Sequence, residues 1–322
     1  MNDNLVPPTE RIDGDLVVIQ RNPKSGSGRR RRLLRELISA LRQRQFAVRL
    51  FARRDRLDEF VNSQTSGRLR CLVAAGGDGT VSDLVNRHPG LPVATLPVAT
   101  LPMGTENLVS RHLAIPSNGD AMAELIRTGC VKRYDTASIG SQSFLLMASV
   151  GVDAAVVERL HIARSGNISR WNYALPVLQS FLKYSFSEFC IQSLDDGSTV
   201  RGTHAVVSNF PEYGFRLKLT PDADPCDGLL DVCVFQGTTG FRSACHAVAS
   251  LFRPQNGQKV IRFRAQHVRL EPTPPRDFSD TSSALLSRLA LAVQTDGDPA
   301  GRLPVEIHVV PGAMTLIVRK DN

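Results

Sequence analysis

Three short glycine-bearing segments have the composition to cradle phosphate. They are Asn22-Pro23-Lys24-Ser25-Gly26-Ser27-Gly28, Gly76-Gly77-Asp78-Gly79-Thr80 and Pro102-Met103-Gly104-Thr105-Glu106-Asn107. Glycine lets the main chain approach an anion closely. A helix beginning just after such a turn points free N–H groups and the positive end of its dipole at the anion. Ser25, Thr80 and Thr105 add hydroxyls. Each segment alone is also what a tight turn needs. All three together, each following a strand-like run, predict a nucleotide triphosphate site at the carboxyl ends of the strands of an open sheet. Two commoner phosphate signatures fail: the P-loop and the dinucleotide fingerprint both break at Arg31.

Two acidic segments lie further along. Asp222-Ala223-Asp224-Pro225-Cys226-Asp227-Gly228-Leu229-Leu230-Asp231 closes a turn and enters a strand-like run. Val293-Gln294-Thr295-Asp296-Gly297-Asp298 sits between two more such runs. Asp-Gly pairs serve turns and hairpins in their own right.

The elements that would position these residues alternate in the first ~130 residues. Leu16–Ile19 is apolar. Leu33, Leu34, Leu37, Ile38 and Leu41 form a helical stripe. Phe46–Phe51 alternates as a strand, Leu57, Phe60 and Val61 fit a helix, Leu69–Ala75 is a buried strand, and Val81, Leu84 and Val85 open another helix. That rhythm predicts a parallel sheet covered on both faces. From about residue 134 short β-rich runs take over: 142–149, 186–194, 204–208, 229–235, 260–264, 267–271, 291–294, 305–310 and 314–318. One helical stretch, from Trp171 to Leu182, interrupts them. The expected architecture is therefore α/β plus β. A doubly wound nucleotide-binding domain covers residues 1–133, with the extreme C-terminal residues free to join it, and an antiparallel β-sandwich covers 134–322. The tandem duplication Leu91-Pro-Val-Ala-Thr95, Leu96-Pro-Val-Ala-Thr100 is expected to be absorbed as a bulge or longer loop before Gly104, since an odd insertion reverses a strand's faces.

Composition narrows the partners. In 322 residues, Lys plus Arg number 39 against 31 Asp plus Glu, a net charge of +8, which favours anionic ligands or surfaces. The apolar fraction of 42% excludes a disordered chain. The six cysteines form no C-x-x-C pair, which fits reduced thiols in a cytosol. Residues 1–14 predict no secretory signal and no stretch predicts a transmembrane helix. Arg29–Arg32, with Arg35, Arg42, Arg44, Arg49, Arg53, Arg54 and Arg56, reads as a solvated face or as an attraction to acidic lipid headgroups. It lacks the interleaved aromatics of a nucleic-acid surface. The cluster Trp171, Tyr173, Phe181, Tyr184, Phe186 and Phe189 reads as core or as a membrane-facing rim.

From Leu16 to the C-terminus the motif set resembles the soluble diacylglycerol kinase-like lipid kinase family, which includes bacterial lipid kinases and the catalytic region of sphingosine and ceramide kinases. Gly-Gly-Asp-Gly-Thr alone is shared with NAD kinases, and phosphofructokinases have a close variant. The Asn-Pro-x-Ser-Gly start, the Pro-x-Gly-Thr-x-Asn turn and the two acidic segments narrow it. The resemblance implies an NAD kinase/phosphofructokinase-like first domain, with ATP against its glycine turns in an interdomain cleft. Its contacts would be Asn22, Pro23, Ser25, Gly26, Gly76, Gly77, Asp78, Gly79, Thr80, Gly104, Thr105 and Asn107. It implies a structural Mg2+ at Asp224, Asp227 and the carbonyl of Leu229, a set of hard oxygen donors that suits this ion. It implies Asp296 as the general base on a lipid hydroxyl, and Asp78 as the link to a catalytic Mg2+. Lys24, Arg29 and Arg111 are candidates for a phosphate clamp.

The sequence departs from the family twice. Asp298 stands where Glu is usual, and a Thr expected after the second strand, near Leu50 or Phe51, is absent. The implied activity is ATP-dependent phosphorylation of a diacylglycerol-like or sphingoid lipid. The alternatives are an NAD kinase-like small-molecule kinase and a catalytically silent lipid- or nucleotide-binding protein. The expected setting is cytoplasmic, with peripheral contact at the inner membrane face and no nucleic acid; a homo-oligomer is left open.

Overall fold

The computed structural model describes residues 13–22, 28–64, 67–87, 96–151, 153–155, 157–158, 187–212, 219–236, 260–273 and 291–320. The elements of the first half are β1 (Leu16–Arg21), α1 (Gly28–Gln43), β2 (Ala47–Phe51), α2 (Arg54–Asn62), β3 (Leu69–Gly76), α3 (Asp78–Arg87), β4 (Val98–Pro102), α4 (Leu108–His112), α5 (Gly119–Thr128) and β5 (Cys130–Ile139). Then come β6 (Gln142–Phe144), β7 (Met147–Val150), β8 (Phe189–Ser193), β9 (Thr199–Gly202), β10 (His204–Ser208), β11 (Leu230–Phe235), β12 (Val260–Ala265), β13 (His267–Pro272), β14 (Ala292–Thr295), β15 (Asp298–Arg302) and β16 (Val305–Val318). Two compact units result: one runs to Tyr134 and takes in the chain again from Gly312, and the other spans Asp135–Pro311.

In the first unit β2, β1, β3 and β4 lie side by side in parallel, and the end of β16 joins β4 in parallel at Leu316 and Val98. β1 is buried on both faces. Val17 and Ile19 join a core with Leu33, Leu34, Leu37 and Leu41 of α1, Met122 and Ile126 of α5, and Ile317. On α1 the intervening Arg31, Arg35 and Arg42 stay exposed, so its apolar stripe fixes which face packs. Leu57 of α2 and Leu84 of α3 are buried too, and Phe51 meets Phe60 with ring centroids 5.1 Å apart. α5 is closed at both ends. The Ala121 amide donates to the Asn118 side chain at 2.7 Å, and Arg70 donates to the Ile126 and Arg127 carbonyls.

The second unit is a β-sandwich. One sheet has the order β12-β11-β10-β7-β14-β15, all antiparallel. β9, β8, β13 and the first part of β16 pair antiparallel in the other, as do β5 and β6. Val150, Val207 and Val232 from the first sheet share one core with Phe189, Val268 and Ile307 from the second.

The structure differs from the sequence expectation in α4, α5 and β5, which the sequence pattern does not predict, and at four further places. The run 142–149 is two strands, because the amides of Leu145, Leu146 and Met147 turn to the Asp296 carboxylate. The runs 305–310 and 314–318 are one strand, β16, which continues through Pro311 and Gly312. β15, Asp-Pro-Ala-Gly-Arg, reads as turn residues; it is tolerated as a strand because it lies at a sheet edge. β9 was not expected either. Of the duplication, the second copy supplies the start of β4, while residues 91–95 lie outside the described residues. So do the helical stretch 171–182 and all of the aromatic cluster except Phe189.

Candidate active site

The second and third glycine turns are locked together. The Gly76 carbonyl accepts from the amides of Met103 (2.8 Å) and Gly104 (3.1 Å). A Cβ on Gly104 would stand 2.4 Å from the Gly77 Cα, so the two backbones touch where neither residue carries a side chain. Asn107, at φ 51°, holds its own turn: its amide group donates to the Gly104 carbonyl and its oxygen accepts from the Gly104 amide. Asp78 spans both turns. Its carboxylate accepts from the Leu108 and Val109 amides, each at 3.0 Å, capping the start of α4 from 30 residues away. Burial pushes its carboxyl pKa up, against the pull of those amides. Both oxygens are therefore engaged before any metal is considered.

Asn22 stands at the end of β1, its amide donating to the Ala75 carbonyl beside the second turn. Pro23, Ser25 and Gly26, and the Lys24 and Arg29 side chains, lie outside the described residues. A cavity of about 250 Å3 opens here, lined by Gln20, Arg21, Asn22, Ala52, Arg54, Thr80 and Asp83. Two of its lining atoms, the Thr80 Oγ1 and Arg21 Nε, are buried without a hydrogen-bond partner among the described residues. Unpaired buried polar atoms are costly, and a polar ligand in the cavity would satisfy them. Gly76 makes room for Thr80: a Cβ there would lie 1.9 Å from Oγ1. Asp83 accepts from Gln20 at 2.8 Å and pairs with Arg54 at 2.9 Å. The first residue after β2, Ala52, lines the cavity without a hydroxyl. Gly79 faces open space. A larger cavity, about 810 Å3, lies along the third turn and is lined by residues including Thr105 and Asn107.

In the second unit Asp296 occupies the tip of the β14–β15 hairpin at φ 50°. Its carboxylate accepts from the amides of Leu145 (2.8 Å), Leu146 (2.8 Å) and Met147 (3.1 Å). Three N–H groups fix its position. A polar chain, buried at Gln294 and Ser149, supports the hairpin. The Gly297 amide donates to Gln294, Gln294 donates to Ser149 at 2.6 Å, and Ser149 donates to Asp153 at 2.5 Å. His204 Nδ1 lies 3.4 Å from Asp153 without hydrogen-bond geometry. Asp298 is exposed at the start of β15.

The Asp222–Asp231 turn gathers carboxylates. Asp224 accepts from Cys226 and Asp227 from Leu229 in local turns, and Asp135 accepts from Gly228. Burial raises the Asp227 pKa, and the charges of Asp224 and Asp231 raise it further. The Asp231 Oδ2 is buried without a hydrogen-bond partner among the described residues. Arg264 offsets part of this charge, 3.2 Å from Asp231 and 3.9 Å from Asp227. Among the described residues no group of three or more His, Cys, Asp or Glu side chains is placed to hold a metal. Two repelling carboxylates and a main-chain oxygen fit Mg2+, which keeps several waters.

Sequence reasoning missed Arg21 and Asp83, and it reads Arg54, which lines the cavity, only as part of a surface arginine group. One signal is legible: Arg21 is a charge closing a strand that opens with four apolar residues, directly before the Asn-Pro turn.

Residues 16–139 match the diacylglycerol kinase catalytic domain, and residues 147–318 match the YegS C-terminal NAD kinase beta sandwich-like domain. The chain thus belongs to the diacylglycerol kinase-like lipid kinase family and is a kinase phosphotransferase, a class whose chemistry implies ATP. An uncharacterized protein of Synechocystis sp. is 24% identical over 262 residues, covering 78% of this chain and 55% of the relative, so the chain spans about half of that protein. A Staphylococcus aureus (strain MSSA476) protein described as "Putative lipid kinase" is 26% identical over 257 residues, 78% of this chain and 77% of the relative. The fold is that of a "putative diacylglycerol kinase" from Bacillus anthracis str. Sterne, with a TM-score of 0.70 at 20% identity over 97% of this chain and 100% of the other. No helix among the described residues is long and apolar enough to cross a membrane.

Proposed function

We propose that the chain transfers the γ-phosphate of ATP to the hydroxyl of a diacylglycerol-like or sphingoid lipid, with Asp296 as the base and Mg2+ as the required ion. The observation that carries the nucleotide part is the cavity at the strand ends, where Thr80 Oγ1 and Arg21 Nε are buried without partners among the described residues, beside glycine turns. In this reading Asn22, Gly76, Gly77, Gly79, Thr80, Gly104 and Thr105 receive the nucleotide. Asp78 and Asn107 serve chiefly by fixing the turns.

The lipid oxygen forms a bond to the γ-phosphorus as the bond from that phosphorus to the β–γ bridging oxygen breaks. ADP departs with the electron pair. The hydroxyl proton passes to the Asp296 carboxylate. Asp224, Asp227 and the Leu229 carbonyl would hold a Mg2+, whose charge would relieve the repulsion that raises the Asp227 pKa. Arg31, Arg35, Arg42 and Arg49 are exposed on α1 and β2 and would draw the protein to acidic lipid headgroups, each worth about 1 kcal/mol near a surface.

The test uses purified protein, labelled ATP and vesicles of extracted lipid, with NAD as a soluble alternative acceptor. Label should enter lipid and not NAD. Asp296→Asn should abolish transfer while ATP binding persists. It should also cost about 1–3 kcal/mol of stability, because its NH2 must face one of the three amides. Transfer to NAD alone, or wild-type turnover by the variant, removes the assignment.

A further inference from the structure

The hairpin that carries Asp296 is weakly built on its outer side. β15 lies at the edge of its sheet and reads Asp298-Pro299-Ala300-Gly301-Arg302. Pro299 brings no N–H to the ladder, Gly301 sits at φ 107°, and the pairing slips between Val293 and Gln294. None of the β15 residues is buried. A reacting side chain must be held to within about 0.5 Å of its productive position, and a ladder so interrupted does not do that alone.

Two tethers supply the rest, and both lead to the stretch just after β7. On the inner side the hydrogen bonds run in one direction. The Gly297 amide donates to Gln294 Oε1 at 2.8 Å, Gln294 Nε2 donates to Ser149 Oγ at 2.6 Å, and Ser149 Oγ donates to Asp153 Oδ2 at 2.5 Å. Gln294 and Ser149 stand opposite each other in the β14–β7 pair and are 2% and 1% exposed. The residue types suit that direction: glutamine and serine can each accept and donate, and a carboxylate ends the chain as an acceptor. On the outer side Arg302, the last residue of β15, donates to Glu158 at 2.7 Å.

We propose that Asp153 and Glu158 are positioning residues for the base, Asp153 acting through Ser149 and Gln294, and Glu158 acting through Arg302. The inference rests on Asp296 being the base and adds the residues that aim it. Because both tethers start from one stretch of chain, a shift of that stretch moves both flanks of the hairpin together.

Steady-state kinetics with labelled ATP and vesicles of extracted lipid test it. Glu158→Gln and Arg302→Gln break an exposed pair, so melting should move by less than about 2 °C. Their kcat should nonetheless fall about 3- to 10-fold, with the KM for ATP changed less than about twofold. The exchanged pair Glu158→Arg/Arg302→Glu should return kcat to within about twofold of wild type. Ser149→Ala and Gln294→Glu cut the inner tether. Gln294→Glu still accepts from Gly297 and no longer donates to Ser149, so it tests the direction of the chain. Each should lower kcat about 10- to 100-fold at constant KM for ATP. Should either buried variant fail to fold, the exposed pair carries the test. Wild-type kcat in Glu158→Gln and Arg302→Gln, or an exchanged pair that restores nothing, overturns the positioning role and leaves Asp296 as the base. So does a loss in which melting falls and the KM for ATP rises as far as kcat drops. Wild-type turnover by Asp296→Asn overturns both.

Discussion

Adding one methyl group at Gly104 should separate the two turns on which nucleotide binding depends. The Cβ of Gly104→Ala would stand 2.4 Å from the Gly77 Cα, 2.8 Å from Asn107 Oδ1 and 3.1 Å from the Gly77 nitrogen. Two of these three neighbours are backbone, so no rotamer change relieves the clash. Ordinary contact begins near 3.4 Å, and the turns must part by about 1 Å. That movement stretches the bonds from Met103 and Gly104 to the Gly76 carbonyl, now 2.8 and 3.1 Å, and the Asn107 bond, now 2.7 Å, beyond useful length. At about 1 kcal/mol each, the loss is about 3 kcal/mol, and a unit of this size should melt roughly 6–12 °C lower. Calorimetry gives the melting temperature and a lipid-kinase assay gives the KM for ATP. The melting temperature should fall and the KM should rise by more than tenfold. A variant with unchanged melting and KM would refute the claim that the Gly77–Gly104 contact sets the site.

Three other substitutions separate fold from ligand. Gly79→Ala meets nothing within 4 Å inside α3, so it should raise stability by up to about 1 kcal/mol; ATP KM should nonetheless rise, and an unchanged KM would show that no ligand passes there. Thr80→Val removes a hydroxyl that has no partner among the described residues, so melting should hold or improve while ATP affinity falls about 5- to 10-fold by titration. Asp227 has a raised pKa, so its contribution to stability is full below the ordinary Asp value of about 3.9 and is lost as pH rises through its folded pKa. Without Mg2+ the protein should gain stability on mild acidification. With Mg2+ that gain should shrink, and Asp227→Asn should abolish the Mg2+-dependent rise in melting temperature; a variant that keeps that rise would place the ion elsewhere.

The sequence made legible what depends on local pattern. The stripe of Leu33, Leu37 and Leu41 marks α1, and the glycine pairs mark the strand ends, because period and turn chemistry are written within a few residues. Long-range partnerships were not legible. Asp78 reads as a metal link, yet its carboxylate serves amides 30 residues away, and nothing near Gly-Gly-Asp-Gly-Thr encodes that. The chain from Gly297 through Gln294 and Ser149 to Asp153 joins two separate segments whose residues look unremarkable singly. β16 was divided at Pro311-Gly312 because those residues usually punctuate. Its two halves instead pair in different units, with β13 up to His308 and with β4 at Leu316.

The last strand also sets a timetable. About 200 residues separate β4 from Leu316, the residue that pairs with Val98. At ribosomal speeds of about 5–20 residues per second, the β4 edge waits roughly 10–40 s for its neighbour. During synthesis that edge is an open template for other chains, so chaperone supply should govern the yield of active protein more strongly than the stability of the finished fold.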